Sequence, residues 1–454
     1  MASEMKRGGR GVSRRGFLRG VAAGAAAFTV VPRRVLAQAG QAAPSDKLNI
    51  ASIGCAGMGG GDIENVKGEN IVALCDVDWG YAAGTFQNFP QAKKYKDFRK
   101  MFDEMGKNID AVTVSTPDHT HAVAAIAAIK RGKHVYCQKP LAHSIWEIRE
   151  LMKAAREHKV VTQLGNQGHS DEAMRLTREW IADGAIGKVT EIHAFCSIDH
   201  CKISELPRRS EKHDVPATLD WDLWLGPAQF RSYHPMYLPG AWRGWMPFGS
   251  GTIGDWVCHV VDPSFWSLDL GAPTSVLAQA DGYAPKEHAD TFPHGTTVTY
   301  EFPARGDRGA VKLVWFDGNK RPPRPEELET GRNVPDIGEI IIGDKGKMMH
   351  GSHGAGGVRI IPEDKMKAYK QPAKTLPRVR AGHYNDWLDA IKEGRKAGSD
   401  FSYGGPLTEI AQLGIIATKM LGTKLEWDAA NMKFPNCPDA DQYLKPPFRE
   451  GWSL

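Results

Sequence analysis

The chain has 454 residues, of which 41% are hydrophobic and 24% charged, and its formal net charge is +5. This length exceeds that of one typical domain, so we expect two. Residues 1–39 hold eight lysines and arginines and one acid, a net charge of +7, which leaves −2 for the rest of the chain. The basic total therefore gives no reason to expect a nucleic acid or an anionic surface as a partner.

The N-terminal segment has the features of a twin-arginine export signal. The arginine pair lies in the motif from Ser13 to Arg19, an Ala-rich apolar run follows over residues 21–31, and residues 37–39 (Ala-Gln-Ala) offer a cleavage site. The apolar run is too short to span a bilayer. We therefore predict a signal peptide over 1–39, a linker over 40–46, and a periplasmic or otherwise exported protein without stable membrane association.

Residues 47–76 have the pattern of a dinucleotide-binding unit. An apolar run ending at Ile53 leads into a glycine-rich turn, and a second apolar run stops at Asp76. Glycines let the backbone approach a pyrophosphate, and the following helix presents free N–H groups to it. A carboxylate at the strand end accepts from ribose hydroxyls and repels a 2′-phosphate, so NAD is favoured over NADP. Ala56 replaces the usual second glycine; the residues expected at the pyrophosphate are Gly54, Gly57, Met58 and Gly59.

Strand and helix patterns alternate over the rest of this region. The predicted strands cover 111–115, 134–137 and 160–164, and the predicted helices cover 79–89, 98–105, 119–130 and 144–158. Such alternation implies a parallel sheet with ligands beyond the carboxyl ends of its strands. The other side chains expected to hold the cofactor lie at those ends: Thr116, Pro117, His119, His121, Gln138, Lys139 and Asn166.

From residue 167 the pattern changes. Strand-like runs at 189–198, 276–280, 296–302, 310–316 and 339–342 are separated by loops, with helices at 171–182, 383–393 and 408–421. We therefore predict an α/β chain: an N-terminal Rossmann domain over 47–166 and a C-terminal α+β domain with an open, largely antiparallel sheet over 167–454. The seven cysteines form no Cys-x-x-Cys pair, and nothing supports a disulfide or metal role for Cys196 and Cys201.

Two clusters in the C-terminal half carry further candidates. Six of the 13 tryptophans lie between Trp221 and Trp266. Aromatic rings stack on sugars and arginine binds hydroxyls or carboxylates, so the expected substrate residues are Tyr233, His234, Trp242 and Arg243; the alternative is that the tryptophans only fill the core. A helix starting near Gly251 places Asp255 and His259 on one face, where a carboxylate can orient a histidine acting as a base. No recognised metal-ligand spacing is present, so no metal is predicted.

The order of these motifs resembles one known family. The glycine turn, Asp76, Thr116-Pro117-x-x-x-His121 and Gln138-Lys139-Pro140 are similar to the glucose–fructose oxidoreductase, inositol dehydrogenase and MocA (Gfo/Idh/MocA) family. The family usually has Glu-Lys-Pro where this chain has Gln138. The resemblance covers residue 47 to the end of the chain. It implies a catalytic trio of Lys139, Asp255 and His259, and an exposed sheet face that makes contacts in a dimer or tetramer.

Three functions are compatible with these features. The first is an NAD-dependent oxidoreductase that acts on a sugar, polyol or glycoside hydroxyl, with His259 or Lys139 removing the hydroxyl proton. Twin-arginine export moves folded proteins, so the cofactor is expected to be tightly held. The second is an NAD-dependent glycoside hydrolase or lyase that oxidises the sugar transiently, with Tyr233 or His234 as acid–base helpers, as the resemblance also implies. The third is a non-catalytic exported sugar-binding protein that keeps NAD as a structural part.

Overall fold

The structure, a computed structural model, describes residues 46–454. The predicted signal peptide and all but the last residue of the predicted linker lie outside the described residues. Between residues 46 and 454, no helix has both the length and the apolar character needed to cross a bilayer.

Six short parallel strands form the first sheet, and most of their residues are buried. Their bounds are β1 Asn49–Ile53, β2 Asn70–Cys75, β3 Lys93–Tyr95, β4 Ala111–Val114, β5 His134–Gln138 and β6 Thr162–Gly165. The spatial order is β3-β2-β1-β4-β5-β6. Because the order reverses between β1 and β4, a crevice opens beyond the carboxyl ends of these two strands, which is where doubly wound sheets bind ligands.

Helices connect these strands and cover both faces of the sheet, as a parallel sheet requires. Their bounds are α1 Met58–Val66, α2 Ala83–Asn88, α3 Phe98–Met105, α4 Asp118–Ile129 and α5 Ile145–His158. Side-chain caps fix two of the starts: Asp97 accepts from the Arg99 N–H at α3, and Ser144 accepts from the Glu147 N–H at α5. The Ala-rich helix α4 is buried almost all round, which small side chains permit.

Eight strands form the second sheet. They are β7 Val189–Cys196, β8 Ser275–Gln279, β9 Thr297–Phe302, β10 Val311–Asp317, β11 Ile337–Gly343, β12 Lys347–Gly351, β13 Arg359–Ile361 and β14 Leu425–Glu426. The spatial order is β13-β12-β11-β7-β10-β9-β8-β14. Only β7 and β10 pair in parallel among these strands, so the prediction of a largely antiparallel sheet is confirmed.

Two late helices return to the first sheet. The helices of this half are α6 Glu172–Ala182, α7 Trp221–Leu225, α8 Gly251–Val260, α9 Asp262–Ser267, α10 Glu363–Ala368, α11 His383–Glu393 and α12 Phe401–Lys419. Trp387 of α11 packs against Tyr136 of β5, with ring centroids 5.7 Å apart. Helix α12 contacts α5 and β6 on one side and α8 and β8 on the other. Residues 48–454 therefore form one compact unit.

The outer face of the second sheet is partly covered. Ile192 and Ala194 of β7 belong to the main core. Because successive side chains of a strand point to opposite faces of the sheet, Phe195 lies on the other face. There Phe195 packs with Ile340 and with the buried Leu328, which lies in the long segment between β10 and β11. The 321–336 segment therefore covers part of the sheet face that the resemblance assigns to oligomer contacts.

Candidate functional site

The glycine turn between β1 and α1 leaves no space for side chains at two positions. A Cβ on Gly54, whose φ is +82°, would lie 2.6 Å from the Ser115 carbonyl oxygen. A Cβ on Gly59 would lie 2.1 Å from the Gly54 carbonyl oxygen. These contacts bring the turn against the end of β4 and leave the first N–H groups of α1 facing the crevice, where an anion is stabilised.

Asp76 is held at the carboxyl end of β2 by backbone donors. Its carboxylate accepts from the Cys55 N–H at 2.8 Å and from the Asp78 N–H at 2.9 Å. Burial raises the pKa of Asp76 to about 6, although both hydrogen bonds act in the opposite direction. The side chain is thus fixed beside the glycine turn, in the position that the sequence pattern predicted for a ribose-binding carboxylate.

A cleft of about 310 Å³ runs along this edge of the sheet. Most of the residues predicted to hold the cofactor line it: Gly54, Gly57, Met58, Asp76, Thr116, Pro117, His121, Gln138 and Lys139. Gly59 lies just behind the turn, and its role is the steric one described above. The cleft therefore unites the predicted pyrophosphate, ribose and nicotinamide ends in one groove.

Two buried polar atoms in the cleft have no hydrogen-bond partner within the described residues. They are Oγ1 of Thr116 and Oδ1 of Asp118; the other carboxylate oxygen of Asp118 accepts from the Ser250 N–H at 3.0 Å. Burying such atoms without a partner is costly, so their position fits a ligand that offers hydroxyl or amide donors. These atoms, the turn and Asp76 together fit NAD. Sequence reasoning passed over Asp118, although it lies inside the Thr-Pro-x-x-x-His motif.

His119 and Asn166, which the sequence placed among the cofactor-binding residues, do not line the cleft. The ring nitrogens of His119 lie 3.2 Å and 3.0 Å from the carbonyl oxygens of Phe248 and Trp224. The Asn166 amide donates to Asp262 at 3.0 Å and accepts from the Ser399 hydroxyl at 2.7 Å. Because both side chains satisfy their polar atoms inside the protein, neither is directed at the cofactor groove.

His121 joins two strand ends in the cleft. Its ring nitrogens lie 2.8 Å from the Pro140 carbonyl oxygen and 2.8 Å from the Thr116 carbonyl oxygen. Burial lowers the pKa of His121 to about 4, so the imidazole is neutral at physiological pH. The contact fixes the end of β5, and with it Lys139, relative to the end of β4.

Gln138 has a specific partner that explains the departure from Glu-Lys-Pro. Its amide nitrogen donates to both carboxylate oxygens of Asp62, at 2.9 Å and 3.0 Å. Asp62 is fully buried in α1 and also accepts from Ser115 and Tyr384. Burial raises the pKa of Asp62. A glutamate at 138 would bring a second carboxylate against the first, so the amide is the side chain that this environment requires.

Lys139, which lines the cleft, forms an ion pair with Asp255. The Lys139 ammonium donates to the Asp255 carboxylate and, at 2.9 Å, to the Asp255 backbone carbonyl. Nε of Arg243 lies 3.2 Å from the same carboxylate, and Nε2 of His200 lies 3.2 Å from its second oxygen. Burial raises the pKa of Asp255, but the Lys139 charge and the other donors outweigh it and hold that pKa well below its ordinary value. Asp255 is thus an anion that fixes the Lys139 ammonium.

The predicted pairing of Asp255 with His259 is not present. Both residues are on α8, but within residues 46–454 no hydrogen bond joins them, since Asp255 is occupied by Lys139, Arg243 and His200. His259 is buried, and its Nδ1 has no partner in the described chain. Burial, then the Lys139 charge, lowers its pKa well below the ordinary value, so the ring is a neutral imidazole.

His353 is a neighbour of His259 that sequence reasoning missed. The two rings stack with centroids 4.3 Å apart and planes at 26°, and the His353 N–H donates to the His259 carbonyl at 3.1 Å. Trp256 packs edge-on against both rings. His353 follows β12 in a glycine-rich loop, and no motif or periodicity marked it as part of the site.

The structure separates the four predicted substrate residues. Trp242 and Arg243 line the cleft, and the Arg243 guanidinium lies over the Trp242 ring at 4.3 Å. Tyr233 packs instead in a buried cluster with Trp221, ring centroids 5.3 Å apart. His234 is also buried, with Nε2 3.2 Å from Glu211. Tyr233 and His234, which the sequence placed among the substrate residues, therefore do not line the cleft, because Tyr233 belongs to the aromatic core of this half and His234 pairs with Glu211.

Two groups of described side chains have metal-ligand chemistry outside the cleft: Asp199 with Cys201 and His294, and Glu211 with His213 and His234. In the second group the Met236 N–H donates to Nδ1 of His234, which leaves the ring proton on Nε2, directed at Glu211. All seven cysteines are free, including Cys196 and Cys201.

Comparison with known proteins gives two family matches. Residues 48–166 match the model of the oxidoreductase family's NAD-binding Rossmann fold, and residues 203–321 match the model of its C-terminal alpha/beta domain. Together the two models cover slightly more than half of the chain. The first of them ends at the strand-end Asn166, and the second contains α8.

Curated relatives match over part of their length. Levoglucosan dehydrogenase of Pseudarthrobacter phenanthrenivorans is 32% identical over 198 residues, which is 43% of this chain and 42% of that protein. A 2,7-anhydro-N-acetylneuraminate hydratase of Mediterraneibacter gnavus is 33% identical over 128 residues, 28% of this chain and 33% of that protein. The chain thus spans less than half the length of these relatives.

Solved structures extend the likeness in fold. An inositol dehydrogenase homologue of Azotobacter vinelandii, complexed with NADH and myo-inositol, superposes with a TM-score of 0.56 at 16% identity, covering 84% of this chain and 98% of that one. At this identity the match supports the two-sheet architecture alone. The glycine turn, the strand-end Asp76, the cleft and the two family matches have one explanation: the chain is a member of the Gfo/Idh/MocA oxidoreductase family.

Proposed function

We propose that this protein is an NAD-dependent oxidoreductase that acts on a secondary hydroxyl of a sugar, polyol or glycoside. The observation that carries the proposal is the ion pair between Lys139, which lines the cofactor cleft, and Asp255, with the neutral His259 on the same helix as Asp255. A curated relative supports the substrate class, since levoglucosan is a polyhydroxylated ring.

NAD supplies the hydride acceptor: the carbinol carbon loses hydride to the nicotinamide as its O–H loses a proton. The residues of this chain handle the proton and the charge. The Lys139 ammonium, fixed by Asp255, donates a hydrogen bond to the substrate oxygen and stabilises its developing negative charge. His259 is neutral and its Nδ1 has no partner in the described chain, so it is the group proposed to accept the proton. Trp242 and Arg243 contact the sugar ring and its oxygens.

The experiment that tests this function starts from the nucleotide. Mass analysis of the purified protein should find NAD or NADH, and incubation with a panel of ring-deuterated sugars and polyols should transfer deuterium to it. Stoichiometric transfer from one substrate class supports the oxidoreductase. Tight binding of a sugar without transfer of label, and without any other turnover, would leave the non-catalytic binding protein as the function.

A redox-neutral reaction is the second candidate, because one relative is a hydratase. Transient oxidation acidifies the neighbouring C–H, after which a group is eliminated, water adds and the hydride returns. Tyr233 packs against Trp221, and both ring nitrogens of His234 already have partners in Met236 and Glu211, so these helper residues are poorly placed for the reaction and the oxidoreductase is the better supported function. Release of an aglycone from chromogenic glycosides without net NADH would reverse that preference.

We further propose export by the twin-arginine pathway, on the strength of the Ser13–Arg19 motif, and a homo-oligomer, on the strength of the family resemblance. A Lys substitution of both Arg14 and Arg15 should keep the protein in the cytoplasm in a fractionation experiment. Light scattering of the purified protein would measure the number of subunits, and a monomer would contradict the second proposal.

A further inference from the structure

Residues 449–454 bring one side chain, Trp452, to the lining of the cofactor cleft. Arg449 anchors the segment: its guanidinium donates to the Asp222 carboxylate, to the Asp222 carbonyl at 2.9 Å and to the Gly226 carbonyl at 3.1 Å. The Arg449 N–H also donates to the Pro227 carbonyl at 2.9 Å. Four hydrogen bonds thus tie one residue to α7 and the turn that follows it.

This anchor places Trp452 beside the first sheet. The indole packs against Phe98 with ring centroids 6.1 Å apart, and the Arg99 guanidinium lies over it at 4.5 Å. The same indole lines the cleft, together with Lys96. Trp452 therefore forms part of the wall of the cleft, although it lies far after β1 and β4 in the sequence.

The half of the cleft that Trp452 lines can be identified. A strand-end carboxylate of the Asp76 type binds the adenosine ribose, whereas Lys139 marks the nicotinamide end. Phe98 follows β3, the neighbour of β2, and lies on the Asp76 side of the sheet order. Trp452 contacts Phe98, so it belongs to the adenosine half.

We propose that Trp452 is a cofactor-binding residue: its indole packs against the adenosine half of NAD, is held there by Arg449, and slows release of the cofactor. Stacking on an aromatic side chain is sequence-tolerant and strong for any base, and removal of such a side chain weakens binding by roughly tenfold or more. The proposal rests on the NAD cofactor and not on the reaction proposed above.

The test measures cofactor release in the full-length protein. Wild type and Trp452→Ala are loaded with NADH, and the loss of NADH fluorescence is followed after addition of excess NAD. We expect release at least about tenfold faster from Trp452→Ala and an intermediate rate from Trp452→Phe. Phe230→Ala is the matched control, because this aromatic side chain is 72% exposed and does not line the cleft.

Fragments of the cofactor locate the effect. Trp452→Ala should weaken binding of ADP-ribose and leave binding of nicotinamide mononucleotide unchanged. Release at the wild-type rate, or equal weakening of both fragments, would overturn the proposal. Should Trp452→Ala fail to fold, Arg449→Ala decides: faster release supports the proposal, and an unchanged rate refutes it. Absence of sugar oxidation would refute the proposed function alone, because none of these readouts depends on turnover.

Discussion

Lys139 and His259 contribute different parts of the proposed chemistry, because Lys139 is charged and His259 is neutral in their respective surroundings. Asp255 fixes Lys139 as an ammonium, whereas burial and the Lys139 charge keep His259 neutral. Lys139→Ala and His259→Ala should each lower the rate of hydride transfer by about 10²–10⁴, the range of a lost acid–base group. Single-turnover reduction of bound NAD measures this. Lys67→Ala is the control, since Lys67 is exposed and does not line the cleft. Near-wild-type rates in both variants would exclude the assignment.

Gln138 matters through Asp62 and not through a charge on Lys139. Gln138→Glu should bring two buried carboxylates together and lower the free energy of unfolding by about 1–3 kcal/mol, the cost of an uncompensated buried polar group. The double variant with Asp62→Asn restores one donor and one acceptor, so it should recover most of that loss. Denaturant unfolding of wild type and of these two variants tests the pair, and a Gln138→Glu protein as stable as wild type would contradict it.

Asp76 makes cofactor binding dependent on pH. Its pKa is raised to about 6 by burial, so the fraction in the ionised form falls as the pH falls through 6. The ionised form is the better acceptor for ribose hydroxyls, and the Kd for NADH should therefore rise as the pH is lowered from 7 to 5. Fluorescence titration at each pH measures this. In Asp76→Asn the Kd should be higher and nearly independent of pH; a pH slope equal to that of wild type would assign the titration to another group.

The glycines of helix α1 differ in whether the structure leaves space for a side chain. Gly59→Ala should abolish NADH binding, because its Cβ would overlap the Gly54 carbonyl oxygen and displace the turn. Gly61 is in the same helix and has no atom within 4 Å of a built Cβ. Gly61→Ala should therefore keep NADH binding and stabilise the protein by about 0.5–1 kcal/mol through helix propensity. Thermal unfolding and NADH titration of both variants check this, and equal effects would refute the distinction.

The elements with strong periodicity were predictable from the sequence. Helices α3 and α11 have the predicted bounds, and β7, β9 and β10 differ from prediction by a few residues at most. Strands β3, β12, β13 and β14 were not predicted, since each is short and contains a charged residue. Their pairing depends on a neighbouring strand, which a local sequence pattern does not report.

Prediction of the site from the sequence was incomplete for the same reason: the partners of the side chains lie far away in the chain. The four-residue spacing placed Asp255 and His259 on one helix correctly, but the partner of Asp255 is Lys139, 116 residues away. Strand ends located Asn166, yet the direction of its amide is decided by Asp262 and Ser399. Periodicity and strand-end rules give a residue's place in an element. The partner that occupies its polar atoms comes from distant parts of the chain.

At the scale of the whole molecule, the two sheets should unfold together. Helix α12 is almost entirely buried and contacts α5 and β6 as well as α8 and β8, while Trp387 of α11 packs on β5. Neither sheet can lose its core without exposing these helices. We therefore expect one cooperative transition for residues 48–454, although the cofactor binds at the edge of the first sheet only.

This coupling predicts how removal of the cofactor acts. Removal of NAD should lower the unfolding temperature by the same amount whether it is measured by tryptophan fluorescence or by far-ultraviolet circular dichroism. The fluorescence reports mainly on the C-terminal half of the chain, which holds most of the tryptophans. Adding NAD back at 100 times its Kd should raise the free energy of unfolding by about 2.7 kcal/mol, and both probes should report the same increase, because a ligand of the native state stabilises everything that unfolds with its site. Two separate transitions, with only one shifted by NAD, would mean that α11 and α12 do not couple the sheets.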